Sequence, residues 1–314
     1  MAAPSQTQTR FQVPNAENVL RLFPEVNQNL IGGKSDPASN DTDMSGYDEE
    51  QIRLMDEVCI VTDENDVPIG SASKKLCTSS LFSLWPPYHC VIPSFTNTHT
   101  HTHTFSLSFS RYPPLIRDLT GHLMENINRG LLHRAFSVFL FDHENRLLLQ
   151  QRASEKITFP DMWTNTCCSH PLGVPGETGF GLTESVEGVK RAAVRKLEHE
   201  LGIQSDMVPI SEFRFLTRIH YLAPSDGKWG EHEVDYILFI KPSKTVDLAV
   251  NPNEVRDSRF VSMEELKAMF KEPGLKYTPW FKLICESMLY EWWDHLDSGL
   301  EKYQGEKEIR RMLQ

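Results

Sequence analysis

At 314 residues the chain can hold one large domain or two small ones. Its 32 basic and 43 acidic side chains give a formal net charge of −11, a poor surface for nonspecific nucleic-acid binding, while a local basic pocket could still take a small anion. Hydrophobic residues make up 39%, mean hydropathy is −0.39, and no apolar run reaches 18 residues, which argues for a soluble globular protein without a membrane span.

The first residues lack the apolar core of a secretory signal, and acidic residues before position 50 argue against a mitochondrial presequence. Six cysteines (Cys59, Cys77, Cys90, Cys167, Cys168 and Cys285) are too sparse for a disulfide scaffold and form no paired CxxC pattern, so reduced cytosolic thiols are expected. Residues 1–52, rich in Asn, Asp, Ser, Gln, Pro and Gly, are expected to form a disordered tail, with folded structure beginning near Arg53. Val58–Val61 reads as a strand, Asp63–Asp66 as its turn, and Val67–Lys75 as the returning arm.

Residues 78–121 break this texture. Ser, Thr, Phe and Pro dominate, and Thr98–Thr104 alternates Thr with His. A metal-binding tract is one reading of the alternation, and a solvated, unstructured insert is the preferred one. The regular texture then returns. Arg134–Asp142 and Arg146–Arg152 read as two strands of a hairpin around Asp142-His143-Glu144-Asn145. Thr183–Leu201 carries Val186, Val189, Ala193, Leu197 and Leu201 at helical spacing, and Gly202 closes it. Phe213–Leu222 and Glu233–Ile240 read as strands, and Met263–Lys271 and Trp280–His295 as helices. Mostly antiparallel strands mixed with helices predict an α+β fold.

The chemistry concentrates around Trp163–Pro171, where the thiol of Cys168 stands two residues from the imidazole of His170. His122 and His133 lie upstream, and Glu231 and Glu233 lie downstream. Brought together, these segments give one pocket with three imidazoles, two carboxylates and a thiol. The predicted helix holds a further pattern: Gly181, five residues, Glu187, seven residues, Arg195-Lys196-Leu197, one residue, His199-Glu200, one residue, Gly202-Ile203. This matches the spacing of the Nudix box, whose glutamates hold Mg²⁺ against a diphosphate. Lys196 and His199 stand where two of those glutamates belong, so the resemblance implies the Nudix-like mixed sheet flanked by helices without the hydrolytic metal cluster.

The whole assembly resembles the type I isopentenyl-diphosphate Δ-isomerases over roughly 53–77 and 122–300. The resemblance is carried by Gly130–Phe139, Thr164–Pro171, Trp229–Asp235 and Thr278–Phe281. It implies isomerisation of isopentenyl to dimethylallyl diphosphate in isoprenoid and sterol precursor synthesis. A proton is added at C4 and another removed from C2, by way of a cation-like intermediate that needs a dry pocket. It makes Cys168 and Glu233 the proton-transfer residues, without deciding which is acid and which is base, and Tyr221 the partner of Glu233. It makes His122, His133, His170, Glu231 and Glu233 ligands of a divalent metal (Zn, Mn or Mg), and Glu200 the carboxylate that reaches the Mg²⁺ carried by the diphosphate. Lys74, Arg152, Lys156, Ser169 and Lys196 become diphosphate contacts, and Trp280 an aromatic face for the developing cation.

The departure from the family is the insert. Lys74–Cys77 and His122–Ile127 read through when 78–121 is removed, and the insert's texture resembles translated noncoding sequence such as an unspliced intron. An isomerase domain over 53–300, interrupted by the insert, and a C-terminal tail over 301–314 are expected. Two other readings are a chain impaired by the insert and a Nudix-type diphosphate hydrolase, which would give Cys168 no role. The C-terminus is not a Ser-Lys-Leu peroxisomal signal. A cytoplasmic monomer or weak dimer acting on a small diphosphate, with no nucleic-acid or membrane partner, is the expectation.

Overall fold

The computed structural model describes residues 14–30, 44–79 and 130–313. In chain order these form helices α1 (Val19–Leu22) and α2 (Glu49–Leu54), strands β1 (Val58–Thr62) and β2 (Pro68–Ser73), and helix α3 (Lys74–Thr78). Strands β3 (His133–Leu140), β4 (Leu147–Arg152), β5 (Trp163–Thr164) and β6 (Cys167–Ser169) lead to the long helix α4 (Leu182–Leu201). Strands β7 (Arg214–Pro224), β8 (Gly230–Ile240) and β9 (Val255–Val261) follow, then helices α5 (Met263–Met269), α6 (Pro279–Ile284) and α7 (Tyr290–Asp294), and strand β10 (Ile309–Arg311).

The larger sheet runs β10-β7-β8-β3-β1-β2, with β6 also paired to β3, and the smaller one runs β5-β4-β9. β3 pairs in parallel with β8, and β10 in parallel with β7; the remaining named pairs are antiparallel. The α+β class is as predicted. All eight residues of β3 are buried, as a strand covered on both faces requires. One apolar layer, including Phe139, Phe239, Phe281 and Trp292, fills the space toward the C-terminal helices. Another, including Phe136, Val138, Val189 and Leu197, fills the space toward α4. No helix among the described residues is long and apolar enough to cross a membrane.

Four expectations are corrected. The strands on either side of Asp142–Asn145 do not form a hairpin: β4 joins the smaller sheet, and only a Phe141–Leu147 bridge links the two arms. β8, β1 and β6 already occupy the edges of β3, so β4 finds no free edge there. The first 52 residues are not uniformly a tail. Val19, Phe23 and Val26 are buried against β1 and β2, and Asn27 exchanges backbone hydrogen bonds with Ser71 at 2.8 and 2.7 Å. This segment covers the outer edge of β2, an edge that would otherwise present unpaired backbone groups. At the other end, 301–313 is no loose tail either, because β10 caps the exposed edge of β7. Finally, the helix expected over Trp280–His295 is interrupted by a π-helical stretch at Cys285–Leu289.

α4 ends where predicted. Gly202 adopts φ +67, and a Cβ there would lie 2.4 Å from the Ala249 carbonyl oxygen, so no other residue fits without displacement. Gly188, inside α4, lets the helix press onto the Glu177 backbone, where a Cβ would meet the carbonyl oxygen at 2.3 Å.

Candidate active site

Strand register assembles the centre. In the parallel β3–β8 pair, His133 stands opposite Glu233. In the antiparallel β7–β8 pair, Tyr221 stands opposite Glu233, and Ala223 opposite Glu231. Alternation sends Glu231 and Glu233 to one face of β8 and His232 to the other. β6 adds Cys168 opposite Ser137 of β3, and His170 follows directly. The loop carrying His170 is held by α4: Arg195 donates to both oxygens of Glu177 at 2.7 and 2.9 Å and to the His170 carbonyl at 3.2 Å. Glu177 in turn accepts from the Leu172 backbone N–H at 2.8 Å.

His133, His170, Glu231 and Glu233 are all buried, and one ligand atom from each lies within 4.8 Å of the others. His133 Nε2 and His170 Nε2 are 3.1 Å apart, and His170 Nε2 is 3.0 Å from Glu233 Oε1. His133 Nε2 is 3.6 Å from both Glu231 Oε2 and Glu233 Oε1.

The residues fit a divalent metal on three observations. His133 Nδ1 lies 2.8 Å from the Leu131 carbonyl, to which it donates, leaving the Nε2 lone pair for a cation. Glu231 Oε2 is buried among these groups without a hydrogen-bond donor. Two imidazoles and two carboxylates converge on one point, a donor set that suits a divalent ion. Within the cluster, burial opposes charge on His133, but Glu231 and Glu233 outweigh it and raise its pKa well above the ordinary imidazole value. Burial lowers the pKa of His170. Burial also disfavours charge on Glu233, yet hydrogen bonds from His133 and His170 hold its carboxyl below the usual range.

Beside this cluster a small cavity opens to solvent. Cys168, Glu233, Tyr221 and Trp280 line it, together with Lys74, Arg152, Lys156, Ser169, Lys196 and Glu200. The Tyr221 hydroxyl donates to Glu233 Oε2, and burial raises the phenol well above its ordinary pKa. Cys168 is half-buried, with Thr164 Oγ1 and an Arg152 amino nitrogen at 4.0 and 3.9 Å from its sulfur. Burial pushes its thiol up to about 12, with Arg152 acting against the shift and Glu200 and Glu233 adding to it. Trp280 is pinned by its indole N–H, which donates to Asn165 Oδ1 at 3.2 Å. The Asn165 amide donates to the carbonyls of Val138 and Cys167, tying the ring to the strands of the site.

The structure brings every sequence-derived site residue to this cavity or to the cluster beside it, except His122, which lies outside the described residues. The His99–His103 tract lies outside them as well, as does the insert beyond Ser79. Arg152 donates through Nε and Nη2 to the Thr158 and Phe159 carbonyls, which fixes its guanidinium at the cavity wall. Lys196 pairs with Glu200 at 3.2 Å, and Gln150 donates to the other Glu200 oxygen at 2.9 Å. Glu187, the other remaining Nudix-box glutamate, is half-exposed and pairs with Lys190 outside the cavity. Sequence reasoning gave no role to Asn165, Glu177 or Glu254. Asn165 was visible inside the Thr-Asn-x-x-Cys run. Glu254, which pairs with Lys156, sits in no motif, and no sequence signal marks it.

The NUDIX domain family matches residues 131–281. An isopentenyl-diphosphate delta-isomerase from Aspergillus fumigatus is 58% identical over 311 residues, covering 95% of each chain. One from Schizosaccharomyces pombe is 54% identical over 266 residues, covering 85% of this chain and 96% of its own. An isopentenyl-diphosphate Delta-isomerase 1 from Mesocricetus auratus is 45% identical over 272 residues, covering 85% and 97%.

Proposed function

The chain belongs to the isopentenyl-diphosphate delta-isomerase family, and from that premise we propose how its own residues carry the reaction. The protein is an isomerase that converts isopentenyl diphosphate to dimethylallyl diphosphate, adding a proton at C4 and removing one from C2. The observation that supports the site assignment is the single cavity in which the Cys168 thiol and the Glu233–Tyr221 pair meet the Trp280 ring and a cluster of cationic side chains.

Cys168 and Glu233 exchange the two protons with the substrate carbons. Tyr221 orients Glu233 and shares its proton. Trp280 stabilises the tertiary cationic intermediate by its ring face, an interaction worth about 2 kcal/mol or more when desolvated. Arg152, Lys156, Lys196, Lys74 and Ser169 hold the diphosphate by charge-assisted hydrogen bonds. Glu200, at the cavity wall, would reach the Mg²⁺ that accompanies the diphosphate. His133, His170, Glu231 and Glu233 would hold a second divalent ion, Zn, Mn or Mg, with His122 as a further ligand. Such an ion, when bound, supplies a fixed positive charge that lowers the proton affinity of Glu233. The five cysteines among the described residues are free thiols, which supports a cytosolic location.

A Nudix hydrolase reading finds no support in α4, where Lys196 and His199 replace two glutamates and Glu187 turns away. The test is conversion of isopentenyl diphosphate with Mg²⁺ by the full chain, with Cys168→Ala beside it. Turnover that vanishes in the variant supports the assignment. Equal turnover in both removes Cys168 from the mechanism.

A further inference from the structure

Lys156 is held from behind by a carboxylate that no motif contains. Its ammonium lies 2.6 Å from Glu254 Oε2, and Glu254 is 2% exposed. Lys156 lines the cavity and Glu254 does not, so the ion pair runs through the cavity wall. The second oxygen, Glu254 Oε1, accepts from the Gln51 amide at 3.2 Å. Gln51 is itself buried on α2, and the same amide nitrogen contacts the Asn253 carbonyl and side-chain oxygen at 3.1 and 2.7 Å. Asn253 donates to Asp48 Oδ1 at 2.9 Å, and Asp48 is the N-cap of α2. The Glu254 carbonyl accepts from the Ala153 backbone N–H at 3.0 Å, three residues before Lys156.

We propose that Glu254 is a positioning residue for the Lys156 ammonium at the substrate diphosphate, and that Gln51 fixes Glu254 in that role. The inference rests on Lys156 being a diphosphate contact. An ammonium has three N–H donors; one is committed to Glu254, which aims the other two into the cavity. The pairing also decides whether Lys156 is charged. Burial, then Lys74, Arg152 and Lys196, disfavour the charge and bring the ammonium down to about 8, with Glu254 acting against them. Glu254 in turn faces Lys156, Lys196 and Lys74, and burial is its main opposing influence. Removing the carboxylate turns Lys156 neutral at a lower pH and frees it to swing. α2, outside the NUDIX match, thus reaches the phosphate end of the substrate through Gln51 and Glu254.

The experiment compares Glu254→Gln, Lys156→Ala, Lys156→Arg and the Lys156→Arg/Glu254→Gln double variant in the full chain. It reads KM for isopentenyl diphosphate, kcat, and inhibition by Mg-pyrophosphate across pH. In Glu254→Gln the alkaline loss of affinity moves down by one pH unit, so KM and the pyrophosphate inhibition constant rise about fivefold near pH 8 and about tenfold above pH 9, while kcat changes less. The effect shrinks in acid, where the ammonium is charged in both proteins. Gln51→Leu shifts the same limb in the same direction by less. In the Lys156→Arg background the guanidinium stays charged, and adding Glu254→Gln no longer moves the pH profile. A shift that persists with Arg, or an unchanged KM in Glu254→Gln while Lys156→Ala raises it, overturns the inference with Lys156 still a diphosphate contact. An unchanged KM in Lys156→Ala removes that contact and the inference with it.

Discussion

Tyr221 and Glu233 face one another across the antiparallel β7–β8 pair, and the phenol donates its proton to Glu233 Oε2 while His170 Nε2 holds Oε1. The carboxylate is therefore fixed from both sides. One oxygen belongs to the buried His/Glu cluster and the other to the Tyr221 hydroxyl in the cavity. Tyr221→Phe keeps the ring against Trp280, 6.0 Å between centroids, and removes only the hydroxyl. The expected result is a fall in kcat of about a hundredfold with little change in KM, as for losing one positioned proton-transfer partner. Leaving the buried oxygen unpaired costs about 1–3 kcal/mol of stability. Steady-state kinetics and urea unfolding measure the two separately, and an unchanged kcat would remove Tyr221 from the proton path.

Cys168 is a protonated thiol in the resting site. Burial pushes its pKa up to about 12, well above that of an ordinary thiol. The thiolate is the nucleophile toward alkylating agents, so the folded protein resists iodoacetamide at Cys168 at neutral pH and becomes more reactive as pH rises beyond 9. By linkage, the shift contributes stability that is complete below the unfolded pKa and is lost as pH climbs toward the folded one. Mass mapping of Cys168 against pH, with urea-unfolded protein as reference, checks the order. Fast labelling of the folded protein at pH 7 would show an activated thiolate instead.

The buried cluster predicts a metal-dependent stability. Two carboxylates and two imidazoles at these separations repel or titrate when empty, and a divalent ion compensates them. Chelation is expected to abolish turnover and lower Tm, and saturating metal at a hundred times its Kd to add about 2.7 kcal/mol. Glu231→Gln weakens both effects, because the unpaired Oε2 becomes an amide group that no longer supplies a full charge. Calorimetry of apo and reloaded protein reads the shift. A Tm indifferent to chelator and to added Zn, Mn and Mg would count against these four residues as ligands.

The site was more legible than the strand pairing. Cys168 and His170 sit in one run, and Glu231 and Glu233 in another, so alternation along a strand already put each pair on a common face. The nominal hairpin around Asp142–Asn145 failed because local turn chemistry says nothing about which edges of β3 are free. Asp142 does make the expected turn, accepting from the Glu144 and Arg146 backbone N–H groups at 3.0 and 2.8 Å. The strands diverge beyond it for tertiary reasons. The helical Val19–Leu22 and the Asn27–Ser71 bridge were hidden for a related cause: a short apolar run in polar surroundings is ordered here by the sheet edge it covers. Glu254 was invisible because its role depends on Lys156 and Gln51, 98 and 203 positions away.

A second buried charge group ties the β1–β2 turn to the rest of the sheet. Arg134, fully buried, donates to Asp66 Oδ1 at 2.9 Å, to the Asp66 carbonyl at 3.0 Å and to the Gly179 carbonyl at 3.1 Å. Arg218 and the Tyr236 hydroxyl satisfy Asp66 Oδ2. Arg134→Met leaves Asp66 Oδ1 and the Asp66 carbonyl without their donor, while the Gly179 carbonyl keeps the Ser185 hydroxyl; the expected loss is about 3 kcal/mol, with kcat in the surviving folded fraction nearly unchanged. Asp66→Asn in the same chain costs less than it does alone, because Asp66 Oδ1 has already lost its Arg134 donor while Arg218 is the partner still facing Oδ2. Urea midpoints of the single and double variants decide this, and strict additivity would deny the coupling.

The ends of the undescribed stretch 80–129 come back to one place. Ser79 bridges to Trp229, and a Cβ on Gly130 would lie 3.2 Å from the Cys77 carbonyl oxygen. The Gly130 carbonyl is 3.2 Å from His232 Nδ1, on the same strand as Glu231 and Glu233. Deleting 78–121 leaves eight residues, 122–129, between Cys77 and Gly130, with a reach of about 27 Å when extended, far more than that gap needs. Closing a long loop costs only about 0.6 kcal/mol per doubling of its length, so the fold is expected to form with or without the insert. The sensitive quantity is the placement of His122 and Lys74, since misplacement by about 1 Å can cost a hundredfold in rate. The deletion variant is therefore expected to match the full chain in unfolding midpoint within about 1 kcal/mol and to equal or exceed it in turnover and metal affinity. A deletion variant that folds but loses turnover, against an active full chain, would make 78–121 a working part of the enzyme.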